Sequence, residues 1–158
     1  MTARRIAALL AGLWAGAILA IAALAAPDAF ALLDRAQAGR FVNRLFMQEA
    51  YASLVVAGLL FAIERRRARD AAEAGRGSVL SGDLLLVLGA LFCTVAGYFA
   101  VQPLMEAARA GQGPWSFGAL HGASAVLFAV KGVLVLILAW RLGRPATDGA
   151  AVRPSATS

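Results

Sequence analysis

The sequence predicts an all-α membrane protein, a four-helix transmembrane bundle with both termini in the cytoplasm. Hydrophobic residues make up 61% of its 158 residues, whereas a soluble domain contains about 45–50%. They are concentrated in four apolar runs, and a helix needs roughly 20 such residues to cross a bilayer. The predicted helices cover residues 6–26, 45–63, 84–101 and 119–140. We expect one membrane domain over residues 1–142 and a disordered tail over 143–158.

The first run needs to be distinguished from a signal peptide, because Arg4 and Arg5 precede it. It is longer than the roughly 7–15 apolar residues of a signal-peptide core, which favours a retained helix. Residues 27–44 are amphipathic and predict a short interfacial helix leading toward the second crossing, with Pro27 ending the first helix or starting this segment. Residues 64–82 predict a solvated loop, after which Ser81 or Asp83 caps the third helix.

Arginines orient the bundle, because Lys and Arg are enriched in cytoplasmic loops. In a chain with four crossings, the amino terminus, the connection between helices two and three, and the tail all lie on the same side of the membrane. These segments hold most of the basic residues, namely Arg4, Arg5, Arg65, Arg66, Arg67, Arg69, Arg76, Arg141, Arg144 and Arg153. The other side receives only Arg35, Arg40, Arg44 and Arg109. The pattern predicts that both termini are cytoplasmic.

Composition also excludes several classes of function. The net charge is +6, and the basic residues flank the apolar runs. This distribution argues against binding to nucleic acid and favours a lipid bilayer as the partner. Cys93 is the single cysteine, so neither an intrachain disulfide nor a structural zinc site is expected. We find no nucleophile–base set, no paired carboxylates and no phosphate-binding loop, and we therefore do not expect an enzyme.

A few polar residues interrupt the apolar runs. In the fourth run His121, Ser124 and Lys131 fall within an arc of about 80° on one helical face. In the third run Gln102 belongs to a polar stripe, and Glu49 is the only acidic residue within a run. An unpaired charge at membrane depth costs about 2.5–3.5 kcal/mol, so Glu49 is the expected partner of Lys131 or His121. We predict a polar seam between helices two, three and four that opens outward.

Simpler interpretations of these residues stay open at this point. Glu49 lies about 7 Å below the predicted outer end of its helix, where it would be hydrated. His121 would be an interfacial residue near a helix start. The charge of Lys131 would serve either a structural ion pair or a ligand pathway.

Several short motifs in order carry a family resemblance: Asp34-Arg35 with Gly39 and Leu45-Phe46, then Gln102-Pro103-Leu104-Met105, then Phe117 with His121-Gly122 and Ser124. In a chain with four crossings, they resemble the transmembrane protein 205-like family, whose bacterial members are called domain of unknown function 4149. The resemblance spans residues 6 to about 141. It implies a four-helix integral protein of the cytoplasmic membrane and no particular chemistry. Gly39, Phe46, Pro103, His121, Gly122 and Ser124 fit the family pattern, and Glu49 and Lys131 rest on the physical argument alone.

The sequence thus predicts a multi-pass inner-membrane protein whose polar seam binds or moves a small ion or solute. Its candidate binding residues are Glu49, Gln102, His121, Ser124 and Lys131. Such a role would require a homo-oligomer, because four helices are few for a monomeric transporter. No metal or other cofactor is expected, apart from one alternative.

That alternative is a membrane redox protein that binds haem or a metal through His121. A second axial ligand or a dimer would then be needed, because His121 is the only histidine. Another alternative is a non-catalytic partner subunit of a membrane complex. It would pack through the pairs Gly12/Gly16 and Gly118/Gly122, since small residues let helix backbones approach closely in lipid.

Overall fold

The computed structural model describes residues 2–75 and 78–144 and contains four long helices. We label them α1 (Ala3–Leu32), α2 (Arg35–Glu73), α3 (Gly82–Arg109) and α4 (Phe117–Gly143). Each helix is long and apolar enough to cross a membrane, and no strand occurs within the described ranges. The predicted all-α, four-helix bundle is confirmed, and the protein is a multi-pass membrane protein. The side of the membrane on which its termini lie stays a prediction.

The helices extend well beyond the apolar runs. Helix α2 begins at Arg35 and ends at Glu73. The helix expected within residues 27–44 therefore runs directly into the second crossing from Arg35 onward, whereas most of the solvated loop expected over residues 64–82 is helical and that prediction was wrong. Asp34 starts α2, since its Oδ1 accepts a hydrogen bond from the Gln37 amide at 2.8 Å. Backbone hydrogen bonding continues a helix outside the bilayer, where its charged side chains meet water. Helix α4 runs to Gly143, whereas the rest of the predicted tail, residues 145–158, lies outside the described residues.

Two π-helical turns interrupt α1 and α3, and each lies just before a proline. The first covers Ile21–Ala25 before Pro27, and the second covers Val95–Ala100 before Pro103. Proline lacks an amide hydrogen, and its ring clashes with the carbonyl four residues earlier. In both helices that carbonyl belongs to the π turn, whose wider i→i+5 bonding moves it aside. Pro27 therefore does not end the first helix as expected, because the π turn lets the helix continue through it.

The four helices form a closed ring in which α1 packs on α4, α4 on α3, α3 on α2 and α2 on α1. In the described residues α2 and α4 make no backbone contact, so these two helices lie diagonally opposite each other. Small residues let neighbours approach closely. A Cβ at Gly89 of α3 would lie 3.0 Å from the Leu134 side chain of α4, and one at Gly132 would lie 3.4 Å from Ile18 of α1.

Both described ends of the chain lie at one end of the bundle, which we call the Arg4 end. The Arg4 side chain donates to the carbonyls of Arg141, Leu142 and Arg144, at 2.7–3.2 Å. Nearby, Arg141 Nε lies 2.6 Å from Asp83 Oδ1. Ser81 caps α3 as expected, because its Oγ accepts from the Leu84 amide at 3.2 Å. We call the opposite end, where Asp34 and Ser116 cap α2 and α4, the Asp34 end.

We predict that Gly89→Leu destabilises the bundle by about 1–3 kcal/mol, because the added side chain overpacks the contact between α3 and α4. Gly58→Leu is the matched control, since a Cβ at Gly58 would meet nothing within 4 Å. Thermal unfolding in detergent should show a lower Tm for Gly89→Leu than for Gly58→Leu. Equal Tm values for the two variants would contradict this packing.

Candidate functional site

A buried ion pair crosses the centre of the bundle. The Lys131 Nζ of α4 lies 2.6 Å from the Glu49 Oε2 of α2, and each side chain is only 4% exposed. Both helices run from the Asp34 end toward the Arg4 end, and each residue lies about 21 Å along its helix. The two side chains therefore reach the same depth and span the diagonal between helices whose backbones do not touch. Glu49 is therefore buried in the bundle, and the hydrated position at the membrane interface that the sequence left open is not observed.

A chain of hydrogen bonds extends the ion pair to a third helix. The Ser53 hydroxyl of α2 donates to Glu49 Oε1 at 2.6 Å. In turn, Trp14 Nε1 of α1 donates to Ser53 Oγ at 2.8 Å. No buried side-chain nitrogen or oxygen among the described residues lacks a hydrogen-bond partner. Unsatisfied polar groups are costly in an apolar interior, so this chain accounts for how two charges are accommodated between apolar helices.

Two aromatic rings cover the ion pair on its side nearer the Asp34 end. The Lys131 Nζ lies 4.7 Å from the centroid of the Phe128 ring. That ring meets Phe46 of α2 edge to face, with 4.9 Å between the centroids. Phe46 and Phe128 each precede their charged neighbour by about one helical turn. The two rings therefore lie between the ion pair and the Asp34 end, the end toward which the predicted seam would open.

The structure does not bring the other predicted site residues to the ion pair. Gln102 Nε2 donates to Asn43 Oδ1 at 2.6 Å in an exposed position. His121 is exposed and stacks on Phe117, with ring centroids 5.8 Å apart. Ser124 is half-buried and makes no side-chain hydrogen bond to a described residue. His121 does not reach the ion pair because it lies at a different depth in the bundle, about 15 Å along α4 from Lys131.

Trp14 is the member of this network that the sequence reasoning missed. The predicted seam joined helices two, three and four, whereas the observed network joins α1, α2 and α4. One signal was available, since Trp14 lies in the middle of its apolar run. Tryptophans of membrane proteins collect at the interfaces, and a buried indole N–H usually needs an acceptor.

The described residues contain no group of three or more His, Cys, Asp or Glu side chains that could hold a metal ion. Cys93 is buried, whereas His121 is exposed near the Asp34 end of α4. A haem iron bound by His121 would therefore lie at the rim of the bundle, apart from the ion pair. Haem or metal binding by this residue stays a prediction.

Comparison with known proteins identifies the family. A family model described as "Domain of unknown function (DUF4149)" matches residues 9–113. The chain belongs to this family. The DUF4149 match includes Trp14, Glu49 and Ser53 and ends before α4, which carries Lys131. Neither the curated proteins nor the solved structures gave a match.

The predicted membership in domain of unknown function 4149 is thereby confirmed. The matched range is shorter than the predicted resemblance, which reached about residue 141, and it excludes the motif from Phe117 to Ser124. The link to the transmembrane protein 205-like family stays a prediction.

We predict strong energetic coupling between Glu49 and Lys131 of this DUF4149 protein. Glu49→Gln or Lys131→Met alone leaves one buried group without its partner and should cost roughly 3–5 kcal/mol. The double variant removes both charges, so its loss of stability should be well below the sum of the two single losses. Unfolding of all four proteins in the same detergent measures this coupling.

The exposed pair Asp83–Arg141 provides a matched control, because its bond length is also 2.6 Å while Arg141 is 52% exposed. An exposed pair contributes about 0–1 kcal/mol. The cycle of Asp83→Asn and Arg141→Gln should therefore give a much smaller coupling energy. The same coupling energy in both cycles would show that Glu49 and Lys131 are not a buried pair.

Proposed function

We propose that this DUF4149 protein binds a small ion at the Glu49–Lys131 pair and moves it across the membrane. One observation carries the proposal: two ionisable side chains meet 2.6 Å apart in the interior of four apolar helices. Ionisable residues within membrane spans are costly, and they commonly mark ion pathways and proton relays. A proton is the ion that such a closed site accommodates most easily, because it needs no wide channel.

The partners of Lys131 support exchange at this site. An ion that binds the Glu49 carboxylate must displace the Lys131 ammonium. After displacement the ammonium still faces the Phe128 ring, 4.7 Å from its centroid. A cation over an aromatic face is stabilised by about 0.5–2 kcal/mol. Lys131 can therefore leave Glu49 without becoming wholly unpartnered, while Ser53 continues to donate to the carboxylate.

Access would come from the Asp34 end, where the predicted residues Gln102, His121 and Ser124 lie. The rings of Phe46 and Phe128 separate that end from the ion pair. An aromatic pair of this kind contributes about 0.5–1.5 kcal/mol beyond its buried area, and separation of the two rings would open a path to the ion pair. In this proposal Phe46 and Phe128 act as a gate, and His121 is a titratable group at the entrance.

The proposed role is non-enzymatic and uses no cofactor. Ser53 is the one hydroxyl bonded to a carboxylate in this network, and it is 0% exposed and already accepts from Trp14. A substrate would have no route to that oxygen. We further propose that the protein lies in a bacterial cytoplasmic membrane and functions as a homo-oligomer. Gly16 supports an oligomer, because a Cβ there would meet nothing within 4 Å of its own chain.

The second candidate is a structural subunit of a membrane complex. The hydrogen-bond chain is complete in the closed state, as expected of an ion pair that only holds helices together. Gly118 and Gly122 also face away from the described residues, with nothing within 4 Å of an added Cβ. Such a subunit would show no ion flux of its own.

Reconstituted liposomes test the proposal with the proton as the probe. Under an imposed potassium diffusion potential, wild-type protein should acidify or alkalinise the lumen faster than protein-free liposomes. The variants Glu49→Gln and Lys131→Met should lower this protein-dependent rate at least about tenfold, because each removes a charge that the proton path requires. A pH-sensitive dye in the lumen reports the rate.

The double variant Asp83→Asn/Arg141→Gln is the control, since it removes an equally short but exposed pair at the Arg4 end. It should keep the wild-type rate. A wild-type rate equal to that of protein-free liposomes, or an undiminished rate in Lys131→Met, would refute proton movement. The same assay with sodium or potassium gradients extends the test to other small cations.

Topology can be tested separately with reporter fusions. Because Arg4 binds the carboxyl end of α4, the two described ends of the chain share one side. The arginine distribution predicts that this side is the cytoplasm. Green fluorescent protein fused after residue 158 should fluoresce, and alkaline phosphatase at the same place should be inactive. The opposite result would overturn the predicted orientation.

A further inference from the structure

A groove of about 890 Å³ lies at the Arg4 end, between the start of α1 and the end of α4. Its polar rim carries Arg4, Arg5 and Arg144, and none of the described residues that line it is acidic. The network around the ion pair does not use these residues. The groove therefore presents three guanidinium groups at the level where a spanning helix leaves the membrane.

The amino terminus of α1 adds to this positive potential. Thr2 makes no side-chain cap, and the first turn of the helix contains no acidic residue. The free amide hydrogens of a helix start, together with the helix dipole, favour anions. The 18-residue segment that begins at Ala3 is long enough for this effect.

The three arginines differ in what they already bind. Arg4 donates to carbonyls at the end of α4 and holds the two helices together. Arg5 is exposed and makes no ion pair or side-chain hydrogen bond with a described residue. Arg144 lies over the Trp140 ring at 5.6 Å and likewise makes no described ion pair. Two of the guanidinium groups thus remain to bind an anion.

Below the arginines the groove becomes apolar. Its floor includes Ala8, Gly12 and Leu13, and a Cβ on Gly12 would meet nothing within 4 Å. Leu13 is 66% exposed. From Arg5 to Leu13 the floor extends about 12 Å along the helix. An anion-binding rim that continues into an apolar channel matches a molecule with a charged head and a hydrocarbon tail.

We propose that this groove binds one anionic phospholipid, with its phosphate on Arg5 and Arg144 and an acyl chain over Gly12. A basic pocket between membrane helices is a recurring way of binding such headgroups. The phospholipid would extend the contact that Arg4 makes between α1 and α4. This inference does not depend on the proposed ion movement.

Native mass spectrometry of the detergent-purified protein tests the site, with phosphatidylglycerol and phosphatidylcholine as probes. We expect phosphatidylglycerol to bind more tightly than phosphatidylcholine. Arg5→Gln/Arg144→Gln should weaken phosphatidylglycerol binding at least about tenfold, because both phosphate ligands are lost. Arg66→Gln/Arg69→Gln, an equal change in charge on exposed positions of α2, should leave binding within about twofold. Equal weakening in the two double variants would overturn the proposal.

Two further arms separate a phospholipid from a free anion. Gly12→Leu fills the apolar floor without changing charge, and it should lower phosphatidylglycerol binding about fivefold or more while the protein stays folded. Inorganic phosphate at the same concentration should not displace the phospholipid. Unchanged binding in Gly12→Leu, or displacement by phosphate, would show that the arginines hold a simple anion and not a phospholipid.

Discussion

The bond between Glu49 and Lys131 is the constraint on which the rest of the bundle depends. A lone charge in hydrocarbon costs several kcal/mol, so each of these residues requires the other. Their helices occupy opposite corners of the ring and are joined only through the interior. Helices α1 and α3 fill the remaining corners, and small residues at Gly89 and Gly132 bring α4 close to both of them. Packing and charge pairing therefore specify the same arrangement.

The surroundings of the pair bury both side chains and contact each of them. Ser53 and Trp14 hold the carboxylate from one side, and Phe128 faces the ammonium from another. The exclusion of Glu49 and Lys131 from the surface strengthens the attraction between the charges. The same exclusion makes any separation of the charges costly unless something compensates each of them. The aromatic face beside Lys131 supplies part of that compensation.

Much of the fold was predictable because hydrophobic length is a direct physical signal. Four runs of bilayer length gave four helices, and a single acidic residue within them gave the partner of Lys131. Helix ends were not predictable, because hydropathy reports contact with hydrocarbon and says nothing about where backbone hydrogen bonding stops. Arg35 and Glu73 lie in charged segments, and a charged segment in water can form either a helix or a loop.

The candidate site was predictable only in part, for reasons of depth and residue type. Helical periodicity in a sequence gives only the angle of a side chain around the helix axis. His121 and Lys131 share a face and so were expected to lie together, although they are about 15 Å apart along the axis. Gln102 found a local partner in Asn43. Trp14 was missed because an indole within an apolar run resembles any large hydrophobic side chain until its acceptor is known. That acceptor is Ser53, which lies one helical turn after Glu49 on α2.

The 82-residue separation between Glu49 and Lys131 has a consequence for synthesis on the ribosome. Translation proceeds at about 5–20 residues per second, so roughly 4–16 s pass between the synthesis of Glu49 and that of Lys131. During that interval α2 enters the insertion machinery with no counterion available. Until α4 arrives, the carboxyl group of Glu49 needs another polar partner, such as water or the translocation channel. Completion of the last helix is thus the step that gives Glu49 its partner.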